Sequence, residues 1–421
     1  MRARLGSFRT RLAAIVLGAA ALRLLYVLVL ARHVSMAGDS AFFNAEANLI
    51  AGGHGFIEPF VYRAYGIHAA TASHPPLYPL WLSLSSLAGG TGVLVHRALG
   101  AITGAGCLVA LALLGRRVGG QRVGLGAAAM GALYPVLVAA DGALMSESLY
   151  GLLVASALLL GLRLHERRDL ASAAALGAVI GLAALTRSEG LLLLPLLALP
   201  LSLVGRPRRA ARFGLACACC AAVLAPWTIR NASAFHELTP ISHNDSTVLA
   251  GANCPATYHG RDLGGWRFDC ISPRRSFHEG AQAAAWRREG FRYARRHAGR
   301  LAVVVPVRVL RTWDLYQPRR QVKFGESRAP WAERAGVVGY FLLLPFAIGG
   351  GLVLWRRRRR PFLVLASPVL LVTVSSALGY GTPRFRHAAD LSIVVLAALA
   401  LVTLADRRRR RVTEHTAVAA R

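Results

Sequence analysis

Long apolar blocks alternate with polar stretches along almost the whole chain of 421 residues. Each block is about 17 to 22 residues long, which is the length that a helix needs to cross a bilayer. Only helices satisfy all their backbone hydrogen bonds within such a segment. The pattern predicts an all-α polytopic membrane protein. About ten spans are predicted, at 12–31, 93–115, 123–140, 146–164, 170–186, 190–204, 213–229, 335–355, 362–380 and 388–404.

Two long polar stretches, residues 32–92 and 231–334, separate some of these blocks. In the first stretch, Phe42 and Leu49 belong to an apolar set at helical spacing, which predicts a short loop helix. In the second stretch, arginine and aromatic residues recur at helical spacing between 286 and 296. An amphipathic helix on the membrane surface and a basic helix in water both fit that pattern.

The expected organisation is one transmembrane domain over residues 1–405, including both long loops, and a basic cytoplasmic tail over 406–421. The first apolar block also has the length of a signal-peptide core. Arg23 lies inside it and no clear small-residue cleavage site follows, so we interpret the block as a retained span.

Composition excludes the main alternatives to a membrane protein. Hydrophobic residues make up 55% of the chain and charged residues only 17%, with a mean hydropathy of +0.44. A soluble protein of this length would need far more polar surface. Disordered chains are poor in apolar residues, so this composition also excludes general disorder.

The net charge of +30 comes almost entirely from arginine, because Lys323 is the single lysine. Short arginine runs lie between apolar blocks and also begin the chain, as is typical of cytoplasmic loops. The runs are at 2–11, 116–117, 167–168, 206–212, 356–360 and 407–411. Anionic lipid headgroups explain this pattern better than nucleic acid does. The topology then predicts that loops 32–92 and 231–334 and the turn at Arg187 are extracytoplasmic.

Cysteine positions predict one disulfide. Cys254 and Cys270 both lie in the second long loop, where an oxidising exterior would let them pair. Such a bridge is worth about 3 kcal/mol for a loop of this size. A thiolate metal site is the weaker alternative, because no CxxC pair is present.

Three ionisable residues in the polar segments are candidates for chemistry, and each also has a structural interpretation. Asp39 begins the predicted loop helix, where an aspartate also serves as an N-cap. His74 precedes two prolines and also fits a solvated loop position. Glu147 lies at the first turn of a span, where it favours the helix dipole, although an acid at that depth is usually functional.

Four arginines lie on the predicted outer side, where the positive-inside rule makes arginine rare: Arg187, Arg230, Arg384 and Arg386. Arginine there can bind a phosphate, or it can extend towards lipid headgroups. Carboxylates and cations on one rim suit the transfer of a sugar from a lipid phosphate. The cations stabilise the departing phosphate, and a carboxylate takes the proton of the attacking hydroxyl, which inverts the anomeric centre.

An ordered set of short motifs resembles the polytopic GT-C glycosyltransferases, most closely the family 39 group of protein mannosyltransferases and lipid A aminoarabinose transferases. The resemblance covers residues from about 30 to 405. The matching segments are Asp39, His74-Pro75-Pro76-Leu77-Tyr78-Pro79, Leu144-Met145-Ser146-Glu147, Leu185-Thr186-Arg187-Ser188-Glu189-Gly190, Pro226-Trp227-Thr228-Ile229-Arg230-Asn231, Pro240-Ile241-Ser242 and Arg384-Phe385-Arg386.

The resemblance implies a polyprenyl-phosphate-sugar donor and transfer on the extracytoplasmic side of the plasma membrane. It implies that Asp39 is the general base, that Glu147 is the second carboxylate, and that His74 meets the donor phosphate together with the arginines. Several relatives have a second acid where this chain has Ser40. No metal ligand is therefore assigned, although a divalent metal remains possible, and no other cofactor is expected. The acceptor is a lipid, a glycan or a protein.

Two other classes of function compete with a glycosyltransferase. A flippase or transporter of a lipid-linked substrate predicts ionisable groups at mid-membrane and inverted repeats. Arg23 is the deep ionisable residue that we note in the spans, and no repeat is evident. A catalytically inactive scaffold would tolerate the loss of Asp39. The gathering of polar groups on one face favours the enzyme.

Overall fold

The computed structural model describes residues 2–204, 208–273, 276–322 and 327–419. Within these ranges the backbone forms helices and no strand beyond a single antiparallel bridge between Ile57 and Ala70. The α-helices are α1 (Arg2–Leu25), α2 (Asp39–Ala51), α3 (Pro59–Tyr65), α4 (Leu77–Leu87), α5 (Val93–Gly119), α6 (Gln121–Leu133), α7 (Pro135–Asp141), α8 (Glu147–Arg167), α9 (Leu170–Thr186), α10 (Leu199–Ser202), α11 (Arg209–Phe235), α12 (Asn244–Ala252), α13 (Pro255–Tyr258), α14 (Glu279–Arg296), α15 (Leu301–Thr312), α16 (Pro318–Gln321), α17 (Pro330–Arg357), α18 (Arg359–Leu378) and α19 (His387–Ala419).

The membrane part of the fold agrees with the sequence prediction. Seven helical segments among the described residues are long and apolar enough to cross a bilayer, and the bent pair α6–α7 would make an eighth. The two remaining predicted spans correspond to shorter apolar segments, Leu170–Thr186 and Ser188–Ser202. The all-α membrane architecture is therefore confirmed, and ten is an approximate count of the spans.

The span formed by α6 and α7 is bent by 63° at Tyr134. Pro135 has no N–H, so the carbonyl of Gly131 lacks its usual donor one turn later. Arg23 of α1 donates to the carbonyls of Gly131 and Ala132, both at 3.1 Å, and to Asp141 Oδ2 at 2.6 Å. A buried guanidinium thus satisfies the opened backbone and joins the first span to the bent one.

Small residues bring other membrane helices close together. A Cβ atom added to Gly177 of α9 would overlap the backbone of Ala216 in α11, and one added to Gly350 of α17 would overlap that of Leu396 in α19. Association of helices within lipid depends on such close approach, because burial there brings little hydrophobic gain. The glycine-rich spans therefore pack by backbone contact.

A second buried group of charges lies at the start of α19. Arg386 donates to Asp314 Oδ2 at 2.6 Å and to Asp390 Oδ1 at 3.2 Å, and its guanidinium lies 3.7 Å from the ring centre of Tyr340. Asp390 falls within the last predicted span, so Arg23 is not the single buried ionisable residue among the predicted spans. Arg386 is thus held by two buried carboxylates, which is consistent with a structural role.

Arginine-rich helix ends contact one another on one face of the bundle. Arg122 pairs with Asp406 at 2.6 Å, and Arg358 donates to the carbonyl of Arg117 at 3.4 Å. Of the 206–212 arginine run, residues 206 and 207 lie outside the described residues, as do Lys323 and the last two positions of the predicted tail. The α19 helix continues without a break across the boundary expected at residue 405.

The two long loops, residues 32–92 and 231–334, pack against each other. We call the side of the molecule that they form the loop face. Glu279 accepts hydrogen bonds from the backbone N–H of Ala72 and from His243 Nδ1, both at 2.8 Å. Farther along the second loop, Cys254 and Cys270 form a disulfide, as predicted. The bridge fixes the segment between them, which bears Trp266.

Candidate functional site

Asp39 occupies the first turn of α2 and follows Gly38, whose φ of +55° suits glycine. The residue before the helix is thus Gly38, and the carboxylate of Asp39 is not used as a cap. It instead accepts hydrogen bonds from His74 and Arg384. The structure therefore does not support the N-cap interpretation of Asp39.

His74 is held by aromatic packing and by Asp39. Its ring centre lies 4.6 Å from that of Phe42 and 4.9 Å from that of Phe43, both on α2. Its Nε2 lies 3.2 Å from Asp39 Oδ1. The imidazole is thus fixed against the loop helix, which a solvated loop histidine would not be.

Arg384 joins the two candidate carboxylates. Its Nη1 and Nη2 atoms each lie 3.2 Å from Asp39 Oδ2, and its Nε donates to Glu147 Oε1. Arg384 lies in the 3₁₀ turn Pro383–Arg386, which the buried Arg386 anchors from its other end. One guanidinium therefore connects a loop helix, the start of α8 and the start of the last span.

Glu147 lies beneath this arrangement and is only 1% exposed. Arg187 donates to it from Nη1 at 3.2 Å and to Glu189 Oε1 from Nε at 2.6 Å. Glu147 thus holds two guanidinium groups side by side, Arg187 and Arg384. Its contacts are those of a residue that positions the arginines.

The electrostatics favour an ionised Asp39. Burial raises the pKa of its carboxyl, but the interactions with His74 and Arg384 outweigh burial and hold the pKa well below the ordinary value. The group is consequently a carboxylate at neutral pH. Any removal of cationic charge from Asp39 would make it a stronger base.

A cavity of about 360 Å³ opens over these groups. Charged residues on its wall include Asp39, His74, Arg187 and Arg384, and the rest of the wall combines aromatic and other apolar residues with further polar ones such as Glu189. Pockets with a few convergent polar groups on an apolar wall are typical of small-molecule and lipid sites. Four of the seven predicted catalytic and phosphate-binding residues thus share one cavity, with Glu147 directly below it.

Arg230 and Arg386, which the sequence predicted as phosphate ligands, do not line this cavity. Arg230 donates to the carbonyls of Thr71 at 2.7 Å and Phe56 at 2.6 Å, where it fastens the first loop to the end of α11. Arg386 is 2% exposed and committed to two carboxylates. Both contacts are structural, and we omit these two arginines from the candidate site.

Sequence reasoning missed the aromatic part of the cavity wall. Trp266, Phe268, Tyr380 and Phe385 line it, and Arg187 lies 5.3 Å from the ring centre of Phe385. Phe385 stands between two arginines that were singled out, so its position was an available signal. Trp266 and Phe268 carry no local motif, and only the folding of the second loop brings them to the site.

The described residues contain no group of three or more His, Cys, Asp or Glu side chains suited to a metal ion. The carboxylates at the cavity instead face guanidinium groups. The residues present thus give no ligand set for the divalent metal that the sequence left open.

Residues 73–229 match the family model described as dolichyl-phosphate-mannose-protein mannosyltransferase. The matched segment includes His74, Glu147 and Arg187 but neither Asp39 nor Arg384. A comparison with curated protein sequences finds no match.

A solved structure shows the same fold. The archaeal oligosaccharyltransferase AglB from Archaeoglobus fulgidus, in complex with an inhibitory peptide and a dolichol-phosphate, matches 97% of this chain with a TM-score of 0.58 and 17% identity. This chain spans 52% of that protein. ArnT from Cupriavidus metallidurans, bound to undecaprenyl phosphate, matches 92% of this chain and 77% of its own at a TM-score of 0.46 and 14% identity. The chain has a GT-C type membrane fold, as predicted.

Proposed function

We propose that this protein is a membrane glycosyltransferase that moves a sugar from a polyprenyl-phosphate donor to an acceptor hydroxyl on the extracytoplasmic side. The observation that carries the proposal is the cavity on whose wall Arg384 joins Asp39 to Glu147, which lies beneath it. Support also comes from the mannosyltransferase family match, and AglB was solved with a dolichol-phosphate. The arginine-rich face opposite the loops supports the orientation.

In the proposed reaction, the acceptor oxygen bonds to the anomeric carbon as the bond from that carbon to the donor phosphate oxygen breaks. The electron pair leaves with the phosphate, whose charge Arg187 and Arg384 stabilise. The acceptor proton passes to the Asp39 carboxylate. One such displacement inverts the anomeric centre.

The low pKa of Asp39 fits a base that is activated by the donor. In the free protein Arg384 shares its charge between Asp39 and Glu147. When Arg384 turns to a donor phosphate, part of that charge leaves Asp39, and the carboxylate becomes more basic. Binding of the donor and activation of the base are thereby coupled through one guanidinium.

The acceptor has a separate route to the reacting atoms in this proposal. A second cavity of about 800 Å³ shares Trp266, Phe268 and Tyr380 with the first. These aromatic rings separate the first cavity, in which the donor phosphate is proposed to bind, from the second cavity, which lacks Asp39 and Arg384. A small or lipid-linked acceptor would approach from the second side.

The test compares Asp39→Asn with Asp406→Asn, an aspartate paired with Arg122 on the arginine-rich face, away from both cavities. Purified protein in liposomes is incubated with a panel of radiolabelled polyprenyl-phosphate sugars and a membrane lipid extract. We expect Asp39→Asn to lose transfer while retaining donor binding, and Asp406→Asn to behave as wild type. Near-normal turnover by Asp39→Asn would reject Asp39 as the base. Movement of labelled donor across the bilayer without a glycosylated product would favour the flippase.

A further inference from the structure

The helices α14 and α15 of the second loop have an unusual distribution of charge. In α15, the two arginines Arg308 and Arg311 are buried. The outward positions of the same helix are apolar, with Val303 41% exposed and Leu310 37% exposed. A helix in water keeps its charged side chains on the outer face. Helix α15 instead buries both arginines, together with Val304 and Val307, and leaves apolar side chains outside, which indicates that its outer surface faces hydrocarbon.

The position of α15 agrees with contact with the bilayer. Thr312 donates to Ser376 Oγ at 2.8 Å, and Arg308 Nη1 donates to the carbonyl of Ala377 at 3.4 Å. Both partners lie in the last turns of the membrane helix α18, on the loop face. The apolar side of α15 thus lies beside the end of a span.

The preceding helix α14 carries a basic patch, defined here as Arg288, Phe291, Arg292, Arg295 and Arg296. These residues line a groove of about 680 Å³, and Phe291 is 60% exposed among the arginines. Within the described ranges, none of the four arginines forms an ion pair with a carboxylate. The patch is therefore a cluster of uncompensated positive charge with an exposed aromatic ring.

We propose that the basic patch binds the phosphates of anionic phospholipid headgroups in the leaflet next to the loop face. Two features favour a lipid over a soluble anion. The apolar outer side of α15 follows α14 after the short turn Ala298–Arg300, and Phe291 provides an apolar anchor inside the charge cluster. Basic residues around apolar and aromatic groups are typical of helices at a membrane interface. The patch is separate from the Asp39 cavity, so this inference does not depend on the proposed enzyme activity.

The test uses full-length protein in detergent and two double variants. The patch variant is Arg292→Ala/Arg296→Ala, and the control is Arg261→Ala/Arg319→Ala, which removes two exposed arginines from the same loop. Each protein is incubated with equal amounts of phosphatidylglycerol and phosphatidylcholine, and native mass spectrometry counts the retained lipids. At ~1 kcal/mol for each arginine near a lipid surface, the patch variant should bind phosphatidylglycerol about thirtyfold more weakly.

The control variant and Arg292→Lys/Arg296→Lys should retain the preference for phosphatidylglycerol, because the latter keeps the charge. Equal unfolding midpoints would exclude a folding defect. The proposal is wrong if wild type shows no preference, if both alanine variants lose it equally, or if soluble glycerol phosphate displaces the lipid at the same concentration.

A labelling experiment tests the α15 part independently. Leu310→Cys in liposomes should be protected from a membrane-impermeant charged maleimide, and Arg261→Cys should react. Labelling of the wild-type protein measures the reaction of its own cysteines and gives the baseline for both variants. Equal labelling at positions 310 and 261 would place α15 in water and overturn the membrane contact.

Discussion

Replacing Arg384 by glutamine separates the two effects that this guanidinium has in the proposed reaction. Its Nη1 and Nη2 atoms each lie 3.2 Å from Asp39 Oδ2, and its Nε donates to Glu147. Loss of the cation removes a stabiliser of the departing phosphate and an influence that lowers the pKa of Asp39. The first effect changes the rate at every pH, whereas the second changes the shape of the pH profile.

The sign of the pH effect follows from the structure. Asp39 must be ionised to act as a base, and its pKa in the wild-type protein is lowered by His74 and Arg384. Arg384→Gln should therefore move the acid limb of the kcat/KM profile upward, by about one to three pH units for the loss of a neighbouring cation. At pH 7.5 Asp39 stays ionised in the variant. The loss there, about 100- to 1000-fold, reflects the missing stabilisation of phosphate charge.

Arg187→Gln is the matched control, because Arg187 lines the same cavity and contacts Glu147 and Glu189 but not Asp39. It should lower the rate by a similar factor and leave the acid limb in place. The assay is transfer of radiolabel from the donor, followed from pH 8.5 down to pH 2.5, because the lowered pKa of Asp39 places the acid limb at the acidic end of the profile. Thermal unfolding at each pH shows that the protein stays folded. An unshifted limb in Arg384→Gln, or an equal shift in both variants, would refute the coupling of Asp39 to Arg384.

Three further predictions concern stability and do not depend on the reaction. Asp141→Ala leaves Arg23 as an uncompensated buried cation, so thermal unfolding in detergent should show a loss of about 3–5 kcal/mol, and an unchanged midpoint would contradict the pairing. Cys270→Ser should lower the free energy of unfolding by about 3 kcal/mol in the same measurement. If neither this variant nor reduction of the wild-type protein changes the stability, the bridge is absent. Gly350→Ala should lose about 1–3 kcal/mol because its Cβ meets the backbone of α19, while the neighbouring Gly349→Ala, which has open space, should be near neutral.

Local features of the sequence were enough to predict the membrane architecture. Apolar length and arginine runs depend on the thickness and charge of a bilayer, which act on each segment separately. The pairing of Cys254 with Cys270 was also predictable, because both fall in one loop. The count of spans was less certain, because the bend at Pro135 and the short helix after Arg187 depend on neighbouring helices.

The sequence by itself determined which residues carry charge at membrane depth, but not which charges meet. Arg384 and Arg386 are separated by one residue and looked equivalent, yet one faces the cavity and the other is neutralised by Asp314 and Asp390. The difference arises because the turn after Pro383 points successive side chains in different directions. The contact of Asp39 with Arg384 joins residues 345 positions apart, so it exists only once the helices have packed.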